Sequence, residues 1–224
     1  MDEDNRFEIA VDLIRESLLK YTQRAYGMLD AGSAPRILDI GCGSGVPTIE
    51  LARLSGGEVT GIDIDTKALQ MLRDKVAAAG MADRITVMEC SAADMPFQKG
   101  SFDIIWAEGS IYSVGFERGL REWKRFLRPG GYMMVHDEQG NVQKKLDIIN
   151  SCGYEMLDYF VLDKDAWWKE YFAPLERMIL ETQDDYAGSP AAVEAIQTAR
   201  RDIETFKKDT RHSSSVCFVM KLKE

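Results

Sequence analysis

The sequence predicts an α/β fold with a seven-stranded, mostly parallel sheet, and three observations carry that expectation. Short apolar runs alternate with helical stretches from Arg36 onward, a glycine-rich turn stands at the first strand-to-helix junction, and an acidic residue ends the second strand. The chain has 224 residues, 45% hydrophobic and 29% charged, enough to bury a large core, and no Pro-, Ser- or Gly-rich linker or repeat divides it. Residues 1–224 are therefore read as one domain.

Residues 6–30 set Phe7, Val11, Ile14, Leu18, Tyr21 and Ala25 at helical spacing, with Asn5 and Glu8 in a capping-box relation. This amphipathic helix either packs on the sheet or forms an N-terminal lid over a ligand (residues 1–30). Strands are expected at 36–40, 58–62, 85–89, 102–107 and 132–137, with helices at 46–54, 66–79 and 116–126 between them. Arg128-Pro129-Gly130-Gly131 predicts a sharp turn, because proline fixes its own φ and glycine permits a positive one. A helix at 142–152, capped by Gly153, leads to a strand at 154–162, and the last strand is at 216–222. Residues 164–208 between those two strands read as a helical insertion, split at Gly188-Ser189-Pro190. Its start holds Trp167, Trp168, Tyr171 and Phe172, aromatics that serve either as core or as a substrate-facing wall.

Charge and composition exclude several classes. A net charge of −9 without clustered Lys and Arg argues against gripping nucleic-acid phosphates. No apolar run approaches the roughly 18 residues of a membrane span. The acidic start Met1-Asp2-Glu3-Asp4-Asn5 is unlike a secretory signal, so a cytoplasmic location is expected. Cys42, Cys90, Cys152 and Cys217 form no CxxC pair, and the two histidines, His136 and His212, add no metal-ligand spacing, so reduced thiols and no metal are expected.

The glycine turn reads Asp39-Ile40-Gly41-Cys42-Gly43-Ser44-Gly45. Glycines after a strand let the backbone turn tightly and approach a ligand, and the N–H groups of the following helix face it. The dinucleotide fingerprint GxGxxG needs glycine where this chain has Val46, which argues against a nicotinamide enzyme. Asp63, about 20 residues further on, is placed to hold ribose hydroxyls through its carboxylate. A helix N-cap, a role open also to Asp65 or Thr66, is the competing reading of Asp63.

Taken together, Ile37-Leu38-Asp39-Ile40-Gly41-Cys42-Gly43-Ser44-Gly45, Val59-Thr60-Gly61-Ile62-Asp63, Met95-Pro96-Phe97 with Phe102-Asp103-Ile104-Ile105, and Leu127-Arg128-Pro129-Gly130-Gly131 resemble the class I S-adenosylmethionine (AdoMet)-dependent methyltransferases. The resemblance runs in order over residues 36–137. It is closest to the broad small-molecule (type 11/25-like) branch that includes quinone-biosynthesis enzymes. Glu108 to Gly119 and Tyr171-Phe172-Ala173-Pro174 further resemble a poorly characterised prokaryotic subgroup.

The resemblance implies a Rossmann-like sheet with one antiparallel strand and helices on both faces. It implies that Asp39, Gly41, Gly43 and Gly45 surround the methionine part of AdoMet, that Asp63 with Ile64 meets the ribose, and that Ser91 and Ala92 lie at the adenine. Many relatives carry an acid where this chain has Ser91, a shorter and neutral acceptor, and Asp94 is the alternative adenine partner. No universal catalytic motif is needed, since the sulfonium already activates the methyl group and the protein must mainly align and desolvate. Candidates for contact with the reacting groups come from the ends of the fourth and fifth strands: Glu108, Tyr112 as orienter, and His136 as possible general base. The expected acceptor is a small molecule. A protein partner, docking on the helical insertion, is the alternative, and the oligomeric state is not legible.

Overall fold

The computed structural model describes residues 6–209 and 213–223. Asn5, one half of the expected capping pair, and His212 lie outside the described residues. Seven strands, β1 (Arg36–Ile40), β2 (Glu58–Asp63), β3 (Ile85–Glu89), β4 (Phe102–Glu108), β5 (Leu127–Glu138), β6 (Tyr154–Leu162) and β7 (Ser215–Leu222), form one sheet in the order β3-β2-β1-β4-β5-β7-β6. β1 to β5 pair in parallel, while β7 runs antiparallel to both β5 and β6. The central strands read as continuous apolar runs because both their faces are covered. In β4 every residue from Phe102 to Ala107 is buried.

Helices α1 (Arg6–Arg15) and α2 (Leu19–Tyr26) precede the sheet. α3 (Val46–Ser55) and α4 (Thr66–Ala78) link β1 to β2 and β2 to β3, and α5 (Phe116–Trp123) and α6 (Val142–Ser151) lie further along. Two apolar layers result, one on each face of the sheet. Ile37, Leu51, Leu72, Trp106 and Val219 belong to one, and Leu38, Ile62, Ile105, Trp123 and Phe218 to the other. At 25 cal/mol per Å2 each such fully buried side chain contributes about 1.5–3 kcal/mol. Chain order reverses between β1 and β4, so their C-terminal ends part and open a crevice at that point.

Three expected elements differ in form. Residues 6–30 do not make one helix: a 3-10 turn at Glu16–Leu18 separates α1 from α2. The Ser17 hydroxyl donates to the Glu170 carbonyl at 2.7 Å and Lys20 pairs with Glu170 at 2.6 Å, so the break is where the insertion docks. The turn at Arg128 to Gly131 is a bulge inside β5 rather than an element boundary, since Phe102 pairs with Leu127 and Ile104 with Tyr132. Gly130 takes φ +68° there.

The insertion is likewise broken, into α7 (Lys164–Trp167), a π-helical turn (Trp168–Phe172), α8 (Ala173–Thr182), a 3-10 turn (Gln183–Tyr186) and α9 (Pro190–Lys208). It shares a third apolar cluster with the first helix through Phe7, Val11, Leu175, Ile179, Ala192 and Ile196.

Candidate active site

At the crevice a cavity of about 400 Å3 opens over the glycine turn. Its floor comes from Asp39, Gly41, Gly43, Gly45 and the ends of β4 and β5, Glu108 and His136. Its roof comes from Arg15, Leu18, Tyr21 and Thr22 of the first helices and Trp167 and Tyr171 of the insertion.

The glycines of the turn are needed for different reasons. A Cβ on Gly41 would lie 2.3 Å from the Ser110 Cβ, and one on Gly45 would lie 2.1 Å from Leu72. Gly43 has nothing within 4 Å of such a Cβ, yet its φ is +52°. All three hold positive φ; Gly41 and Gly45 in addition permit close packing of the turn, whereas Gly43 stands beside open space.

Asp39 is a buried carboxylate in this cavity and Glu108 a part-buried one. The Asp39 carboxylate accepts from the Thr48 hydroxyl at 2.6 Å, and burial, with Glu108 and Asp63 nearby, pushes its pKa up to about 7. Glu108 Oε1 accepts from Trp106 Nε1 at 2.7 Å and from the Thr22 hydroxyl at 2.8 Å, and burial raises its pKa against these donors. Neither carboxylate has a salt bridge among the described residues.

Histidine 136 differs from the expectation of a proton acceptor near neutral pH. Burial lowers its pKa to about 4, with Asp137 opposing and Lys145 reinforcing the shift, so the ring is neutral and a weak base. It stacks on Trp167 with centroids 5.8 Å apart, and Ser215 Oγ bonds both His136 Nε2 at 2.7 Å and Trp167 Nε1 at 2.8 Å. The ring is therefore held in one orientation, facing the cavity as part of its lining.

The aromatic run divides in two. Trp167 and Tyr171 line the cavity, while Trp168 and Phe172 stack on Phe206 at 6.4 and 4.1 Å.

Asp63, Ile64, Ser91, Ala92 and Tyr112 are not among the described residues lining the cavity. Asp63 stands beside it, its carboxylate accepting from the Gly43 N–H at 2.9 Å and from the N–H groups of Ile64 and Asp65 at 2.7 and 3.0 Å. The N-cap of α4 is Asp65, which accepts from Lys67 and Ala68 N–H, so Asp63 is free of that role. Ile64 is 71% exposed. Ser91 Oγ accepts from Ala93 N–H at 3.2 Å, and the Ala92 carbonyl accepts from Trp123 Nε1 at 2.9 Å. The Asp94 side chain is exposed. Tyr112 is 75% exposed in a 3-10 turn, so the structure does not bring it to Glu108 and His136.

Residues 37–131 match the family described as a methyltransferase domain. The methyltransferase GfsG of Streptomyces halstedii is 35% identical over 129 residues, 57% of this chain and 46% of that protein. The 27-O-demethylrifamycin SV methyltransferase of Amycolatopsis mediterranei is 34% identical over 125 residues, 55% of this chain and 46% of that protein. A SAM-dependent methyltransferase from Thiobacillus denitrificans, solved with S-adenosyl-L-homocysteine, superposes with a TM-score of 0.73 at 19% identity over 91% of both chains, a likeness of fold. Residues 37–131 are thus similar to methyltransferase domains, and the chain shares the fold of that solved methyltransferase. It spans about half the length of the curated relatives it matches.

Several residues at this site carry no sequence signal. Thr22 and Ser215 reach Glu108 and His136 from opposite ends of the chain. Asp12 accepts from the Ser44 hydroxyl at 2.8 Å and from Arg15 at 3.0 Å, and also pairs with Lys75, which donates to the Ser44 carbonyl at 2.9 Å. The first helix is thus latched to the glycine turn. Asp12→Ala is expected to speed amide exchange in residues 6–18 while leaving the protection of β1 and β4 intact; unchanged exchange in α1 would show that the latch holds nothing.

Proposed function

We propose that this protein transfers the methyl group of AdoMet to a small-molecule acceptor, and the observation that carries the proposal is the pair Asp39 and Glu108. A buried and a part-buried carboxylate, without a salt bridge among the described residues, at a glycine turn that leaves space beside Gly43, fit a ligand bearing an ammonium and a sulfonium. When bound, that ligand supplies a methyl group which bonds to an acceptor lone pair as its C–S bond breaks, the electron pair staying on sulfur. The chain's own residues bind, orient and dry this reaction. Asp39 receives the ammonium, Glu108 lies against the cationic end, and Asp63 accepts from the ribose hydroxyls. The exposed Ile64 is covered by the nucleoside, and the turn at Ser91 and Ala92 borders the adenine. Neutral His136, held by Ser215 and Trp167, orients the acceptor by a hydrogen bond, and Trp167 and Tyr171 exclude water. Residues 6–26 act as the lid. Tyr112 has no role in this reading.

A small-molecule acceptor agrees with the activity for which the rifamycin relative is named and with a roofed, aromatic-walled cavity. The net charge of −9 argues against nucleic acid. Among the described residues no helix is long and apolar enough to cross a membrane. Four unpaired cysteines, three of them buried, suit a reducing compartment, and we place the protein in the cytoplasm.

The test is mass spectrometry of a cell extract incubated with the protein and methyl-labelled AdoMet. A labelled small molecule is expected. A labelled protein band would overturn the acceptor class, and no labelled product together with no AdoMet binding would overturn the activity.

Affinity should also depend on pH. Protonated Asp39 cannot pair with an ammonium, so binding strengthens as pH rises through about 7. Calorimetry is expected to show about fivefold tighter AdoMet binding at pH 7 than at pH 6, below the range where the ligand amine itself deprotonates. A flat profile would remove Asp39 from the binding step.

A further inference from the structure

A second cavity, of about 710 Å3, lies between α1 and the insertion. Phe7, Val11 and Leu175 in its lining are buried, whereas Glu194, Thr198 and Asp202 are exposed, so an apolar floor leads to a polar mouth. One face of α9 contributes Ala191, Ala195 and Ala199 at successive turns, small side chains that leave the volume open. The wall is not chemically complete either, since Glu8 Oε2 is buried with no hydrogen-bond partner among the described residues.

Among the described residues only Arg15 and Tyr171 line both this cavity and the one over the glycine turn. The Arg15 guanidinium lies beside the Tyr171 side chain. They stand where two irregular turns meet, the 3-10 turn at Glu16–Leu18 and the π-helical turn at Trp168–Phe172. A π turn of this kind rotates successive side chains out of the α-helical register, and here it sends Tyr171 to the boundary of both spaces. The Arg15 side chain is 47% exposed and ends a helix, so it moves aside with little loss of buried surface, while Tyr171 is half-buried against Trp167 and Phe172.

We propose that the acceptor is an extended, mostly apolar molecule spanning both cavities, its reacting end beside Glu108 and His136 and its body in the cavity between α1 and α9. This rests on the methyl-transfer reading above. A compact polar acceptor would fill only the first space, and volumes of 300–1,000 Å3 are those in which whole drug-sized ligands are buried. Arg15 and Tyr171 then act as the partition that measures acceptor length.

The test uses 4-methylphenol and 4-octylphenol as probes, titrated calorimetrically into the full chain with and without S-adenosylhomocysteine. Each methylene buried strengthens binding about three- to fourfold. Wild type is expected to bind the octyl probe at least tenfold more tightly than the methyl probe. Ala195→Phe and Ala199→Phe, which fill the second cavity away from the glycine turn, should each abolish that preference while keeping wild-type affinity for 4-methylphenol and S-adenosylhomocysteine. Equal affinity for the two probes in wild type, or a preference that survives both substitutions, would overturn the proposal. Failure of S-adenosylhomocysteine to bind would overturn the methyl-transfer reading instead, and the tail-length series without nucleoside would still report on the cavity.

Discussion

Replacing Asp39 by Asn is expected to make the ligand-free protein harder to melt and to remove most of its affinity for AdoMet. The folded-state pKa of Asp39, about 7, stands above the ordinary carboxylate value of 3.8. An acid with a raised folded pKa penalises folding wherever the unfolded chain has already lost the proton, so stability falls as pH climbs from about 4 to about 7 and stays reduced above that. The penalty is on the order of 4 kcal/mol at pH 8. Asparagine keeps an oxygen to accept from Thr48 and carries no charge. A rise in melting temperature of several degrees at pH 8, shrinking toward pH 4, is the expected result. AdoMet affinity should fall about 10- to 100-fold through loss of the charge-assisted contact, and the pH dependence of binding should vanish with it. A variant that melts lower at pH 8, or binds as tightly as wild type, would contradict the assignment.

Gly43→Val tests the other half of the site. A β-branched residue at φ +52° costs about 1–2 kcal/mol or more, and its methyl groups enter the open space beside the turn. Gly43 N–H also donates to Asp63, so a shift of the turn loosens the carboxylate proposed for the ribose. Loss of AdoMet binding by about 100-fold or more is expected, with melting lowered by only a few degrees. Gly45→Val should differ in kind, because its Cβ strikes Leu72 in the core, and stability as well as affinity should collapse. Comparable melting in the two variants would refute that distinction.

Strand positions were legible because buried parallel strands leave apolar runs that need no tertiary information, and β1, β3 and β6 begin and end where the sequence predicts. The place of Asp63 beside the glycine turn was legible through its spacing from it. The breaks in the first helix and in the insertion were not. Residues 6–30 have good helical periodicity throughout, and only the distant Glu170 carbonyl and carboxylate, meeting Ser17 and Lys20, make the turn at Glu16–Leu18 worthwhile. Partnership across the chain likewise hid Thr22 and Ser215, hydroxyls with no motif around them. The pKa of His136 was misread for a related reason, since a free-residue value of 6.5 holds only in water and this ring is buried against Trp167.

If the protein transfers methyl groups as proposed, the latch at Asp12 bears on the timing of each cycle. A helix tied to the turn through Ser44 and Lys75 would let go before spent nucleoside leaves, and that release breaks a buried ion pair as well as the apolar contacts of Phe7 and Val11. Turnover paced by such an event responds little to salt, because Asp12 is buried, and one ligand would depart before the next enters. Asp12 would then set the order of traffic through the site as well as its shape.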